Sequence, residues 1–109
     1  MPSPLIASLE KLLGTPRDGA LLRYSLGTEY LKAGEAERGI ASLREAVARE
    51  PKYSAAWKML GRALAGAGRE DEARAAFCAG IAAARERGDR QAEKEMAVFA
   101  RRLERKRNA

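Results

Sequence analysis

The chain has no histidine, a single cysteine, one tryptophan, three tyrosines and two phenylalanines among its 109 residues. Without histidine, the commonest general base and metal ligand at neutral pH is missing. No glycine-rich phosphate loop runs between a strand and a helix, because the glycines fall at expected helix ends and helix contacts. Catalysis is therefore not expected. The acidic cluster Glu70, Asp71, Glu72 is read as first-turn charge and not as a cation site, so neither a metal nor a cofactor is expected. Cys78 cannot form an internal disulfide, and its place in mid-helix beside Phe77 predicts a buried, inert thiol. No stretch approaches 18 consecutive apolar residues, which excludes a membrane-spanning helix. Residues 1 to 14 lack a basic start, a long apolar middle and a small-residue cleavage site. A reducing cytoplasm is the expected setting.

What the chain does have is small apolar residues and charge. It is 46% hydrophobic and 33% charged with a formal net charge of +6, a balance that supports one small domain over residues 1–109. With aromatics scarce and alanine abundant, the core must be built by small residues that bring helices close together.

Two stretches superimpose at an offset of 34 residues: Leu26, Gly27, Ala33, Gly34 and Leu43 fall onto Leu60, Gly61, Ala67, Gly68 and Phe77. A fixed period of this length marks stacked helical hairpins, in which no unit buries its apolar face alone. Helical punctuation divides the chain into about six helices, an all-α fold. Ser3 and Pro4 open a leading helix whose stripe is Leu5, Ile6, Leu9, Leu12 and Leu13, ending at Gly14. Asp18 starts a second helix over about 19 to 33, with Leu22, Leu26 and Tyr30 in line and Gly34 as a left-handed cap. Glu35 and Glu37 open a third, carrying Ile40, Leu43 and Val47 until Pro51. Ser54 caps a fourth with Trp57, Leu60, Gly61 and Leu64, closing at Gly68. Glu70, Asp71 and Glu72 open a fifth with Ala73, Phe77 and Ile81, stopped by Gly88. Asp89 caps a sixth, whose stripe of Ala92, Met96, Phe99 and Leu103 packs on the preceding hairpin. Gly27 and Gly61 lie in helix interiors, where glycine costs about 1 kcal/mol relative to alanine; close helix approach beside Leu43 and Phe77 is the expected compensation.

These residues resemble the tetratricopeptide repeat, a 34-residue helix-turn-helix with the pattern Trp, Leu-Gly, Tyr, Ala, Phe and Pro. The second unit supplies Trp57, Leu60-Gly61, Ala73 and Phe77, with Leu64 for Tyr and Arg85 for Pro. The first supplies Leu26-Gly27, Tyr30, Leu43 for Phe, Ala46 and Pro51, with Arg23 at the Trp position and Gly39 at the Ala position. The resemblance covers about residues 19 to 87. It implies a right-handed superhelical stack: a leading helix at 1–17, repeats at 19–52 and 53–87, and a C-terminal capping helix with a basic tail at 88–109.

The resemblance further implies a protein-protein interaction scaffold whose first helices line a concave groove for a peptide or helix of another protein. That mapping nominates Tyr24, Thr28, Leu31 and Lys32 from one unit and Lys58, Met59 and Arg62 from the next. Lys58 and Arg62 stand one turn apart, where like charges repel by a few tenths of a kcal/mol; a bound anion would relieve them, or else both point at water or have the acidic Glu29 or Glu93 nearby. The carboxylate clamp of chaperone-binding members is not expected, because its lysine and asparagine positions hold Tyr24, Thr28 and Met59. A second reading comes from the charge of the last helix. Arg101, Arg102, Arg105, Lys106 and Arg107 face only Glu104 and are either a solvated face, a frayed tail or an anion contact with RNA or an acidic surface. No aromatics are interleaved with these arginines, so stacking on bases is not provided, and Phe99 is expected to face the core. Val98, off the main stripe, leaves weak homodimerisation open beside a monomer.

Overall fold

A computed structural model describes residues 3–108 and contains six α-helices and no strand among them: α1 (Pro4–Glu10), α2 (Ala20–Lys32), α3 (Ala36–Arg49), α4 (Ser54–Gly66), α5 (Glu70–Arg87) and α6 (Arg90–Asn108). They fall into two compact units, one ending at Glu50 and the next beginning at Pro51.

In the first unit α2 packs against α3 and α1 packs on α2. Ile6, Leu22, Leu26 and Tyr30 form a buried cluster, with Leu9, Leu12 and Leu13 packed on it. On α3 the residues Ile40, Leu43, Ala46 and Val47 are buried. Leu26 and Leu43 are almost wholly removed from solvent, each a gain of about 1.5–3 kcal/mol. Ser3 caps α1 as expected, its hydroxyl accepting from the Leu5 amide at 3.2 Å. The helix, however, stops at Glu10 and not at Gly14. Leu12 and Leu13 donate three residues back, to Leu9 and Glu10, so the tightened turn still aims both leucines at the cluster. Leu5 leaves the expected stripe and is 49% exposed. Tyr30 donates to the Glu10 carboxylate, and Arg38 reaches Glu10 at 3.4 Å while its guanidinium lies 4.7 Å from the Tyr30 ring centre. Three helices are thus joined at one phenol. Burial first, and then the Glu10 carboxylate, raises the Tyr30 pKa above its ordinary value.

Asp18 does not cap α2; the N-cap is Gly19. The Asp18 carboxylate instead accepts from the Gly14 amide at 2.9 Å and from the Arg23 guanidinium at 2.9 Å through both oxygens. The Arg23 hydrogen bonds, with the Gly14 amide, hold its pKa well below the usual carboxylate range. Arg23 occupies the position that Trp57 holds one period later. Trp57 donates from Nε1 to the Pro51 carbonyl at 2.8 Å, so both side chains tie down the segment that leads into their helix. That shared task accounts for an arginine at a tryptophan position.

In the second unit α4 packs on α5, and α6 packs on both. Its core is Ala56, Leu60 and Leu64 from α4, Ala73, Ala76, Phe77, Ala83 and Ala84 from α5, and Ala92, Met96 and Leu103 from α6. Ser54 is not the cap of α4. Tyr53 takes that place, its carbonyl accepting from Ala56 and Trp57, while buried Ser54 turns its hydroxyl toward Asp89 at 3.5 Å. Asp89 does cap α6, accepting from the Ala92 amide at 3.1 Å.

The period reaches the backbone hydrogen bonds. After α2, Gly34 (φ 80°) lets Glu35 donate to Tyr30 at 2.9 Å and Gly34 donate to Leu31 at 3.1 Å. After α4, Gly68 (φ 77°) lets Arg69 donate to Leu64 and Gly68 donate to Ala65 at the same two lengths. This paired closure satisfies the last carbonyls of a helix and turns the chain back.

The glycines inside α2 and α4 mark close helix contacts. A β-carbon on Gly27 would lie 2.7 Å from Leu43 Cγ, and one on Gly61 would lie 2.5 Å from the Phe77 ring. Gly39 sits under Leu31, at 2.8 Å by the same construction. We expect Gly61→Ala to destabilise by about 1–3 kcal/mol, because the new β-carbon would lie 2.5–2.7 Å from three atoms of the Phe77 ring and the ring must shift off its packed position. Gly66→Ala, whose β-carbon would meet nothing within 4 Å, should stabilise by about 0.5–1 kcal/mol through helix propensity. Chemical denaturation of the two variants checks the contrast, and a neutral Gly61→Ala would refute the packing account.

Asp18 yields a pH prediction. Its folded-state pKa is depressed, so its contribution is complete above the unfolded value of about 3.9 and disappears as pH falls through the lowered folded value. The gap in melting temperature between the native chain and Asp18→Asn should be widest from pH 5 to 7 and close progressively below pH 4. A gap that does not change with pH would assign the effect to something other than the carboxylate.

Candidate functional site

Three of the α2 residues nominated from the sequence are engaged within their own hairpin. Tyr24 and Thr28 are half-buried, and the Thr28 hydroxyl donates to the Ser25 carbonyl at 2.9 Å. Leu31 is half-buried because it covers Gly39. Lys32 extends into solvent and pairs with Glu29 at 3.1 Å. Beside these lies a feature that the sequence reading missed: Leu21, 70% exposed, borders a hollow of about 280 Å³ with Leu9, Leu12, Arg17, Leu22 and Ser25. The only sequence signal was the Leu21-Leu22 pair, in which one leucine of two neighbours must turn about 100° from the core.

In the second unit the nominated α4 cations are separated from each other by their partners. Lys58 pairs with Glu95 at 3.0 Å, not with Glu29 or Glu93; Glu93 pairs with Arg85 at 2.8 Å. Arg62 is exposed and holds its guanidinium 5.4 Å from the Phe99 ring centre. Met59 is half-buried.

Phe99 is not a core residue in the expected sense. It is half-buried, stacked on Phe77 at 5.5 Å with the rings 11° apart, and Arg102 lies 5.8 Å from its centre on the same helix. Arg62, Ala65, Phe77, Phe99, Arg102 and Leu103 line a pocket of about 240 Å³. The sequence held a signal for it, since Phe99 and Arg102 are spaced to share one helix face.

The basic residues of the last helix lie in regular helix, because α6 continues to Asn108. Helical spacing puts Arg101 and Arg105 on the side away from buried Ala92, Met96 and Leu103, with Arg102 and Lys106 next to them at i+3 and i+4 spacings, and leaves Arg107 apart on the other flank. Lys106 is paired with Glu70 at 2.7 Å. Cys78 is exposed, not buried. Buried Ala73, Ala76, Phe77 and Gly80 define the inner face of α5, and Cys78 falls outside it. No cluster of three or more potential metal ligands occurs among the described residues, and no helix there is long and apolar enough to cross a membrane.

Residues 24–93 match the sequence profile of the tetratricopeptide repeat. The chain belongs to the tetratricopeptide repeat family. A TPR repeat-containing protein of Pseudomonas aeruginosa is 52% identical over 103 residues, spanning 94% of this chain and 98% of that one. A protein of Bordetella parapertussis solved in solution superimposes with a TM-score of 0.80 at 42% identity, over 97% of this chain and 91% of its own. A tetratricopeptide repeat domain protein of Salinibacter ruber gives a TM-score of 0.74 at 30% identity, over 80% and 97% of the two chains. Tetratricopeptide repeat proteins generally act as protein-protein interaction scaffolds and not as catalysts. In this tetratricopeptide chain, the two helix pairs that carry the motif are α2–α3 and α4–α5.

The Lys58–Glu95 pair is partly exposed, so its contribution is modest. Lys58→Glu would set two carboxylates against each other and lower stability by about 0.5–1 kcal/mol, while the exchange Lys58→Glu with Glu95→Lys should recover most of it. Urea unfolding of the single and double variants measures this coupling; additive losses would show that the pair does not interact.

Proposed function

We propose that this chain is a non-enzymatic scaffold that binds a peptide segment of a partner protein through the first helices of its hairpins. The contact residues are Tyr24, Thr28, Leu31 and Lys32 on α2 and Lys58, Met59 and Arg62 on α4. Tyr24 and Lys58 are equivalent at the 34-residue period, as are Thr28 and Arg62. The observation that carries the reading is Arg62: an exposed cation whose guanidinium rests on an aromatic ring and has no carboxylate partner among the described residues. The scaffold is one domain over residues 1–109, with repeats at 19–52 and 53–87 flanked by the leading helix and the basic-tailed capping helix, working in the cytoplasm as a monomer or weak homodimer. Leu31 contributes less than its size suggests, because part of its surface is spent on Gly39.

The second reading, anion contact by Arg101, Arg102, Arg105, Lys106 and Arg107, is less favoured. Lys106 is engaged by Glu70, Arg107 lies apart from the other cations, and no aromatic residue is interleaved with them to stack on bases.

Photo-crosslinking residues placed at Thr28, Met59 and, on the exposed side of α3, Ala48 distinguish the faces. The expected result is that Thr28 and Met59 capture the same partner and Ala48 does not. Capture chiefly from Ala48, or salt-labile capture of RNA that Arg101→Glu and Arg105→Glu abolish, would overturn the groove assignment.

A further inference from the structure

We infer that the pocket between α4, α5 and α6 is a small-molecule site for a medium-chain carboxylic acid, its acyl chain lying against Phe77 and Phe99 and its carboxylate held by Arg62 and Arg102. The ligand is a free amphiphile and not a segment of protein, so the site goes beyond the scaffold reading and stands or falls apart from it.

The head group follows from charge. Arg62 and Arg102 come from different helices, are both exposed, and hold their guanidiniums 5.4 and 5.8 Å from the centre of the Phe99 ring. Neither has a carboxylate within ion-pairing distance among the described residues, whereas the other cation of α4, Lys58, is engaged by Glu95. Two like charges beside one ring repel, and a single anion between them removes the repulsion. Their two forks are the only hydrogen-bond donors among the lining side chains, the others being Ala65, Phe77, Phe99 and Leu103. A carboxylate, with one charge and two oxygens, is matched by two guanidiniums. A phosphate monoester brings up to two charges and three acceptor oxygens and would be left short of donors.

The tail follows from the walls. The recess of about 240 Å³ holds about eight groups of water size at roughly 30 Å³ each, and a methylene is close to that size. None of its apolar walls offers a partner to an amide, a sugar hydroxyl or the edge of a nucleobase, and burying such a group unpaired is costly. A planar aromatic ligand fits less well, because Phe99 already stacks on Phe77 and carries both guanidiniums over its ring, so that stacking would displace one of them. A flexible unbranched chain needs neither a polar partner nor a free ring face. The repeat explains why the space exists: Leu31, Ala65 and Phe99 are equivalent at the 34-residue period. Leu31 spends its bulk over Gly39 in the first hairpin, whereas Ala65 has no such bulk and leaves the place beside Phe99 unfilled.

The test titrates the full chain with sodium octanoate at constant ionic strength, followed by calorimetry and by the Leu103 methyl and Phe99 ring resonances. Octanoate should bind saturably, one per chain, and shift both sets. From butanoate to octanoate the affinity should rise by up to about fourfold per methylene, and it should level off by dodecanoate, once the recess is full. 1-Octanol, which lacks the charge, should bind about tenfold or more weakly, and octyl phosphate should also bind more weakly than octanoate. Arg62→Gln and Arg102→Gln should each weaken octanoate about tenfold or more, while Arg90→Gln, at the start of α6, should leave it unchanged. Ala65→Leu, which fills the recess, should abolish binding in a chain that still unfolds cooperatively. The inference is overturned if octanoate gives no saturable shift, if the shifts map away from the recess, if octanol or octyl phosphate binds as tightly, if affinity keeps climbing beyond dodecanoate, or if either arginine variant binds like the native chain. Capture of a partner from Thr28 and Met59 does not depend on any of these outcomes, so failure here leaves the scaffold reading in place.

Discussion

Everything in each hairpin depends on the missing β-carbons of Gly27 and Gly61. A helix gives up about 1 kcal/mol by holding glycine in its interior, and the return is that a neighbouring helix comes close enough to set Leu43 or Phe77 directly on the backbone. Burying a side chain of that size is worth about 1.5–3 kcal/mol, so the exchange is favourable only when the contact forms. The period is therefore a packing constraint before it is a family signature. It also explains how a chain with few aromatics builds a close-packed interior: Ala46, Ala56, Ala73 and Ala84 are fully buried, and each permits approach without demanding volume.

The same constraint decides what could be read from the sequence. Helix number and order, the buried faces of α2 and α3, and the closures at Gly34, Gly68 and Gly88 were all legible, because each rests on a run of residues or on a backbone angle that glycine alone adopts readily. Single-residue inferences fared worse. Asp18 and Ser54 are both good capping residues, yet each lies one position away from its cap, at Gly19 and Tyr53. Asp18 is drawn off by Arg23 and the Gly14 amide, and Ser54 by the approach of Asp89. Competition from residues that are distant in sequence, or a few positions outside the capping motif, is invisible to a local pattern. Cys78 failed for a different reason: adjacency to buried Phe77 says little on a helix, where the next residue points about 100° away.

The site was legible in part. The position of Arg62 on the first helix of its hairpin followed from the period, but its partner did not, since Phe99 lies 37 residues further on a helix outside the repeat. Lys58 shows the converse. An acidic neighbour, Glu29 or Glu93, was one alternative beside water or a bound anion, and the observed partner is Glu95; Glu93 and Glu95 differ by two positions, more than half a turn of α6. Charge type could be anticipated from composition, whereas pairing required the rotation of α6 about its own axis. Met96 fixes that rotation by filling the space at Gly80.

Comparison of the two hairpins as variants of one design connects packing to recognition. In the first, Leu31 lies over Gly39 and closes the gap between the helices; in the second, the equivalent residues are Ala65 and Ala73. The bulk has moved to the other side of the contact, where Leu43 is replaced by Phe77. A larger ring opposite Gly61 satisfies the core, but it leaves the wall at Ala65 low, and Phe99 only partly covers the opening by stacking on Phe77. The redistribution of volume that lets the second hairpin pack thus produces an apolar recess at its mouth. Because α6 carries arginine at the position three residues beyond Phe99, the recess acquires a positive rim without any change to the core. The second repeat therefore gains a partly open apolar recess while the packing that defines the family is preserved.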